Sequence, residues 1–371
     1  MTPNTEEELA ALVSEAKDPL RIIGGGTRPI GQCEGQVLSC SGLSGMTLYE
    51  PGALTIVVRA GTPLADLEAA LAVENQRLPF EPMDHRGLLG TTGVPTIGGA
   101  IAANVSGPRR VQVGAARDFM LGVRFVDGMG AIIKNGGRVM KNVTGYDLVK
   151  LMTGSYGTLG VLTEVSLKVL PKSDVTGVLT LQGLSDVEAV AALSAALGSP
   201  FDVTGAAHAP EGPEGVPLTM IRVEGFEASV LYRLEQLSQL LAKYGVAHLS
   251  TDPDQTAALW TWVRDVEGFH GKDGDVWRIS VKPSQGPSCV AMLDPQGALY
   301  DWGGGLVWVR VPKGTDVREK LDGIGGHATR VRGAAGPTPV FHPQDPVLEE
   351  LSAGLRAKFD PRGILNQGLM G

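Results

Sequence analysis

"RIIGGGTRPI" (residues 21–30) sets three glycines and a threonine directly behind a short apolar run. Arg21 to Ile23 reads as a strand, and the glycines end it. Glycine adopts positive φ without steric penalty and lets one backbone approach another closely. Successive backbone N–H groups in such a turn can form a concave anion site. A GGGT string alone also describes a tight surface turn. The rest of the chain decides between the two.

A chain of 371 residues implies about two domains. Its 43% hydrophobic and 19% charged residues are those of a soluble globular protein. The 51 glycines follow no Gly-X-Y period, so they predict many tight turns and no fibre. A net charge of −8 without a basic stripe argues against a nucleic-acid surface. "MTPNTEEELAAL" lacks the basic and apolar regions of a signal peptide, and no apolar run reaches the roughly 18 residues of a membrane span. The expectation is a cytoplasmic chain, meeting the inner face of a membrane only through a partner. Cys33, Cys40 and Cys289 are too few and too scattered for a zinc or iron–sulfur site. They read as reduced, packed thiols, so a cluster would have to come from another chain. The six histidines are scattered as well, and no metal site is expected.

Local signals then give the organisation. Thr5 with Glu8 makes a capping box opening a helix to about residue 17. "ALTIVVRAGTPLADLEAALA" (residues 53–72) reads as a buried strand, then a helix with Thr62 as N-cap and Pro63 at its first position. From residue 87 to 160 glycines punctuate short β-rich pieces, which predicts strands alternating with turns. After Pro171 the texture changes. A strand "VTGVLTLQG", a helix opened by Ser185 and Glu188, two strands, a helix and "VAHLS" follow in turn. The second helix carries Val230, Leu231, Leu234, Leu237, Leu240 and Leu241 at helical spacing. The order β-α-β-β-α-β is the split unit of ferredoxin-like folds. A weaker copy runs from residue 276 to 332, through "VWRISV", "ALYDW", "LVWVRV" and "HATRVR". Two halves predict one broad antiparallel sheet.

Familiar chemical strings are missing. No G-x-G-x-x-G opens a βα unit, and there is no phosphate-loop lysine motif, H-E-x-x-H or G-x-S-x-G. Four glycine-rich stretches remain, at residues 23–31, 96–107, 114–122 and 145–167. A ligand-free glycine-rich β domain would explain any one of them. In this order and spacing they resemble the FAD-binding domain of the vanillyl-alcohol oxidase and p-cresol methylhydroxylase (PCMH) superfamily.

That resemblance covers about the first 170 residues and implies an α+β fold. A PCMH-type FAD-binding domain would span residues 1–171, and a ferredoxin-like antiparallel-sheet cap for substrate residues 172–345. Backbone nests would hold the FAD pyrophosphate. One wall would be Gly24, Gly25, Gly26 and Thr27; the other Thr96, Gly98 and Gly99, with Asn104 and Gly107 following along the cofactor. Asp118 in the third stretch joins this set. Gly154, Gly157, Thr158, Gly160 and Val161 match the part near the adenosine and ribityl groups. Some relatives attach flavin through a histidine beside the first turn. "GGGTRPIGQCEG" has none, only Cys33, so non-covalent FAD is expected.

"LRAKFDPRGILNQGLMG" (residues 355–371) resembles the K-x-x-F-D-P-x-x-I-L-N-P-G ending of FAD-linked 2-hydroxy-acid dehydrogenases, with Gln367 where proline is usual. This implies that residues 346–371 return to the FAD domain and bring Asn366 near the isoalloxazine. With "VWRISVKPS" and "GGHATRVR", the whole chain resembles the family of smaller FAD-binding subunits of bacterial glycolate oxidases. The implied activity is oxidation of glycolate to glyoxylate. It would take place in a complex with a larger FAD-binding subunit and an iron–sulfur subunit. The H-x-G-D-G-N-x-H and G-E-H-G strings of the larger homologues are absent, which makes a non-catalytic structural or electron-transfer FAD subunit the alternative. The flavoprotein that reduces UDP-N-acetylenolpyruvylglucosamine shares the flavin fold, but the FDP ending argues against it.

A carboxylate substrate needs a cationic anchor. Arg278 and Lys282 are the candidates, spaced with Ser280 to share one face of a strand, and His327 is the candidate base. Each also reads as an ordinary surface charge or a hydrogen-bonded histidine.

Overall fold

The computed structural model describes residues 1–31, 33–139, 145–321, 323–334, 336 and 338–370. After the helix Glu6–Glu15, capped by Thr5, β1 (Leu20–Ile23) pairs in parallel with β2 (Gln36–Ser39). β3 (Met46–Glu50) and β4 (Thr55–Arg59) form a hairpin, followed by the short β5 (Gln76–Arg77). β6 (Met120–Val126), β7 (Ile132–Gly136) and β8 (Val161–Lys168) complete a sheet of order β3-β4-β8-β6-β7, and β9 (Leu170–Pro171) pairs back onto β5.

Two local readings are corrected here. The helix Leu64–Val73 is capped at Pro63 without a side-chain bond. The Thr62 hydroxyl instead donates to Arg59 O and accepts from Gly45 N, tying two loops together. Residues 87–160 are not simply strand and turn, because short helices such as Ile97–Ala102 and Leu148–Met152 separate few strands. Ile97 and Ile101, four residues apart, bury side by side against Ile56, Val58 and Leu167. Gly98 lets that helix lie on Ala60, where an added Cβ would stand 2.6 Å from the Ala60 Cβ.

β10 (Val175–Gln182), the helix Asp186–Leu197, β11 (Val203–Ala209), β12 (Leu218–Gly225), the helix Glu227–Leu241 and β13 (His248–Ser250) form the first split unit, ordered β13-β10-β12-β11. Leu231 and Leu240 stay exposed, because Val230, Leu234, Leu237 and Leu241 already fill the stripe that meets the sheet. After the helix Pro253–Arg264 comes the copy. It consists of β14 (Asp275–Ser280), the helix Gly286–Leu293, β15 (Gly297–Asp301), β16 (Leu306–Val311), the helix Val317–Lys320 and β17 (His327–Arg332), ordered β15-β16-β14-β17. The halves join at β11 and β15, where His208 lies opposite Tyr300, and make one eight-stranded sheet.

Strand alternation sorts this sheet into two faces. Leu179, Ile221, Trp277 and Val307 pack on one face, against the unit's own helices. Val178, Met220, Val276 and Leu299 pack on the other, with Ile30, Met83 and Leu88 of the N-terminal part. Arg222, Glu224, Arg278 and Asp301 share the parity of that second set, so they face the glycine turns.

Five charges cross the junction. Arg222 grips Glu81 through both guanidinium ends at 2.8 and 2.9 Å, Arg109 grips Glu224 likewise, and Arg77 meets Glu224 at 2.7 Å. Burial alone would raise the Glu224 carboxyl, but Arg222, Arg109 and Arg77 outweigh it and hold it well below the ordinary range. The tail returns to β1: Leu20 N donates to Ile364 O and Asn366 N to Leu20 O.

Candidate flavin site

A cavity of about 270 Å³ opens between the glycine turn after β1 and the helix Ile97–Ala102. Gly24, Gly25, Gly26, Thr27, Thr96, Gly98, Gly99, Gly157, Gly160 and Asn366 all line it. The glycines do different jobs. A Cβ on Gly25 would stand 1.5 Å from Val94 O, and one on Gly24 would stand 2.4 Å from the Thr96 hydroxyl. Those two glycines therefore let two loops touch. Gly26 has φ +72° and open space where a Cβ would go.

The first amides of the helix Ile97–Ala102 are already committed: Ile97 N to Thr62 O, Gly98 N to Ala60 O and Gly99 N to the Thr96 hydroxyl. Among the described residues the N–H groups of Gly25, Gly26 and Thr27 have no acceptor. Free donors thus sit on the GGGT wall of the cavity, and the opposite wall supplies shape.

Asn366 fastens the floor. Its Oδ1 accepts from Ile22 N at 2.7 Å and its Nδ2 donates to Tyr156 O at 2.7 Å. Tyr156 holds φ +54°, a conformation bulky residues seldom adopt, and its ring packs edge-on to Phe341. Arg28 lies over that ring at 5.1 Å, donating to the Tyr156 hydroxyl and to His85 Nε2, each at 3.1 Å. Burial, then the Arg28 charge, pushes His85 well below its ordinary value, so the ring is a neutral acceptor that orients Arg28. Arg21 and Arg28 line the cavity, with no carboxylate among the lining residues.

The other expected cofactor residues do not line the cavity. The Asn104 Oδ1 accepts from Arg117 N, tying two separate segments together, and Asp118 accepts from Ala115 N, closing a local turn. Gly154 N donates to Ile101 O, and the buried Thr158 hydroxyl donates to Ser155 O. Val161 belongs to the apolar cluster around Leu20 and Leu365. Gly107 packs on Glu81 O, 2.2 Å from an added Cβ, and its own carbonyl accepts from Trp302 Nε1.

In the sheet, Arg278 projects from β14 toward the glycine turns. Desolvation, then the like charges of Arg110 and Arg28 against the opposing pull of Tyr156, holds it down at about 10, still a cation at neutral pH. His327 lies opposite Ser280 on the neighbouring strand, its ring reaching solvent. Partial desolvation, followed by Arg278, His342 and Arg110, pushes it below its ordinary value. Lys282 is not brought to them; it is exposed beyond the end of β14.

Residues 1–136 match a family model described as an FAD binding domain. Over 372 aligned residues the chain is 36% identical to "Glycolate oxidase subunit GlcE" of Escherichia coli (strain K12), covering 98% of this chain and 95% of that one. The chain belongs to that family. It is also 35% identical over 177 residues to "Glycolate oxidase subunit GlcD" of Bacillus subtilis (strain 168), covering 46% of this chain but 36% of that longer protein. The fold matches a solved alkyldihydroxyacetonephosphate synthase with TM-score 0.72 at 17% identity, over 100% of this chain and 77% of that one. An FAD-linked oxidoreductase of the α+β class is therefore the frame for the site. The free amides of the GGGT turn and the acid-free cavity with two arginines fit a pyrophosphate-bearing cofactor.

Sequence reasoning missed Arg28, His85, Tyr156, Arg110 and Trp302. Arg28 had a local signal, following the GGGT turn directly, and so did Trp302, a bulky residue set before three glycines. The Glu81–Arg222 pair, 141 positions apart, had none.

Proposed function

We propose that this chain is the FAD-binding subunit of a glycolate-oxidising complex, and that it binds FAD non-covalently. The observation that carries the reading is the acid-free cavity whose glycine turn presents unpaired amides, with Arg278 directed at the same region from the sheet. Gly24 to Thr27 would hold the pyrophosphate, with Thr96, Gly98 and Gly99 shaping the far wall and Gly157, Gly160 and Asn366 the floor. Bound FAD would supply the acceptor for the hydride of a 2-hydroxy acid. Arg278 binds the substrate carboxylate, and His327, kept neutral by its surroundings, takes the hydroxyl proton. Partial burial excludes competing water from Arg278 and strengthens its hold on an anion.

Electrons then leave through partners, since this chain carries no cluster cysteines. A larger FAD subunit and an iron–sulfur subunit are the proposed partners. Val347, Leu348, Leu351 and Leu355 leave an uncovered apolar stripe on the helix Pro346–Phe359, the kind of surface a subunit contact covers.

Anaerobic mixing of the FAD-loaded chain with glycolate or D-lactate, followed at about 450 nm, tests the reading. Bleaching within catalytic times supports it. FAD that stays oxidised in the isolated chain but bleaches in the co-expressed complex supports a non-catalytic or electron-transfer role, which the missing H-x-G-D-G-N-x-H string also favours. No bleaching in either preparation overturns glycolate oxidation.

A further inference from the structure

Buried and half-buried arginines at the junction between sheet and glycine turns are matched with acids, except at one place. Arg77, Arg109 and Arg222 all meet Glu81 or Glu224. Arg110 and Arg278 are different. Each places its guanidinium over the ring of Trp302, at 4.7 and 5.1 Å from the ring centre. Among the described residues neither has a carboxylate at ion-pair distance or a hydrogen-bond acceptor. A guanidinium offers five N–H donors in a flat fork, and those of Arg110 and Arg278 meet solvent rather than a protein acceptor, which leaves them open to an anion. Two such groups on one ring also repel each other. A fold that matches three neighbouring arginines so closely leaves this pair open.

The ring they share is built as a fixed shelf. Trp302 has φ +53°, a strained value for a bulky side chain. Its Nε1 donates to Gly107 O at 3.1 Å, which ties the indole to the flavin-binding part, and its backbone N donates to Asp301 Oδ1 at 2.7 Å. Arg110 comes from the helix Arg110–Val113 of the N-terminal part, and Arg278 from β14 of the sheet. The two cations thus reach one indole from two separate structural units.

We infer that Arg110 and Arg278 together form a two-part clamp for one carboxylate, with Trp302 as its shelf. The inference rests on the proposed 2-hydroxy-acid site and adds Arg110 as its second anchor. A planar carboxylate has two oxygens and matches two forks. It cancels the repulsion between the arginines, and its negative charge does the work that Glu81 and Glu224 do next door. The anion is held only while both units are in place, so carboxylate binding reports on the junction.

The test titrates the FAD-loaded full chain with 2-hydroxyisobutyrate, a 2-hydroxy acid with no Cα hydrogen to lose, and separately with acetate. Flavin absorbance and tryptophan fluorescence report binding. Arg110→Gln and Arg278→Gln should each weaken both probes about ten- to hundredfold, as loss of a charge-assisted bond does. The double variant should lose little more than either single one, because both groups serve one carboxylate. Arg110→Lys should recover part of the affinity. FAD content and thermal unfolding should stay unchanged in these variants, whereas a merely packing role for Arg110 would shift unfolding and leave the affinities alone. Wild-type affinity for both probes in Arg110→Gln overturns the clamp, as does failure of the wild type to bind either probe. Bleaching by glycolate alongside unchanged probe affinity in Arg110→Gln sinks the clamp and leaves the activity standing. Arginine-dependent binding of acetate without any bleaching by 2-hydroxy acids keeps the clamp and overturns the proposed substrate.

Discussion

Gly25→Ala is the sharpest test of how the flavin site is built. The added Cβ would lie 1.5 Å from Val94 O, where real Cβ atoms keep at least 3.0 Å. The contact is reciprocal, because a Cβ on Gly93 would lie 1.8 Å from Gly25 O. Both partners are backbone, so no side chain can swing aside, and the loops around residues 25 and 94 must part by about 1.5 Å. Overpacking that only backbone movement can relieve costs about 3–5 kcal/mol. The displacement also carries away Gly26 and Thr27, whose free amides face the cavity, so FAD affinity should fall by about a thousandfold. The assay is FAD titration by fluorescence quenching beside thermal unfolding of the flavin-free chain. Two controls bracket it. Gly52→Ala meets nothing within 4 Å and should be silent. Gly26→Ala also meets nothing but sits at φ +72°, so it should cost only about 1–2 kcal/mol. If Gly25→Ala binds FAD like the wild type and unfolds at the same temperature, the loop contact does not hold the turn in place and the reasoning fails.

Three further outcomes are expected. Burial pushes the Asp301 carboxyl up to about 7, so the folded state keeps a proton that the unfolded state has lost. Between about pH 4 and 7 stability should therefore decline by about 4 kcal/mol from this group and level off above; Asp301→Asn, measured by urea unfolding at about pH 4 and about pH 8, should stabilise at the higher pH and do little at the lower. Glu224 acts in the opposite sense: its depressed value gives stability at neutral pH that is lost in acid. Glu224→Gln leaves Arg109 and Arg77 buried beside a neutral group and should cost about 3–5 kcal/mol in the same assay, with a cost near zero counting against the junction network. Acid precipitation of the flavin-loaded chain should leave all the yellow colour in the supernatant, since no histidine lies in residues 24–35; colour in the pellet would point to Cys33, which lines the cavity.

The sequence alone determined the features that depend on neighbours in the chain. Helix caps at Thr5 and Ser185 involve residues three apart; the box at Ser185 forms in full, while at Thr5 the hydroxyl caps Glu8 N but the Glu8 carboxylate accepts from Asn4 N, one residue before the cap. The two split units are legible because each strand and helix carries its own periodicity, and the edges β11 and β15 meet as one sheet. The glycine stretches announce a flavin fold because close backbone approach admits no other residue at positions such as Gly25. Tertiary structure decided what depends on distance. The pairing of Glu81 with Arg222 and of Arg109 with Glu224 follows from packing a sheet face onto a distant loop, and no local pattern encodes it. The same packing separates two adjacent arginines: Arg109 falls against an acid, while Arg110, one residue on, turns to Trp302 and stays open. It leaves Lys282 in solvent because β14 ends at Ser280, before the strand alternation could carry that side chain onto the face of Arg278.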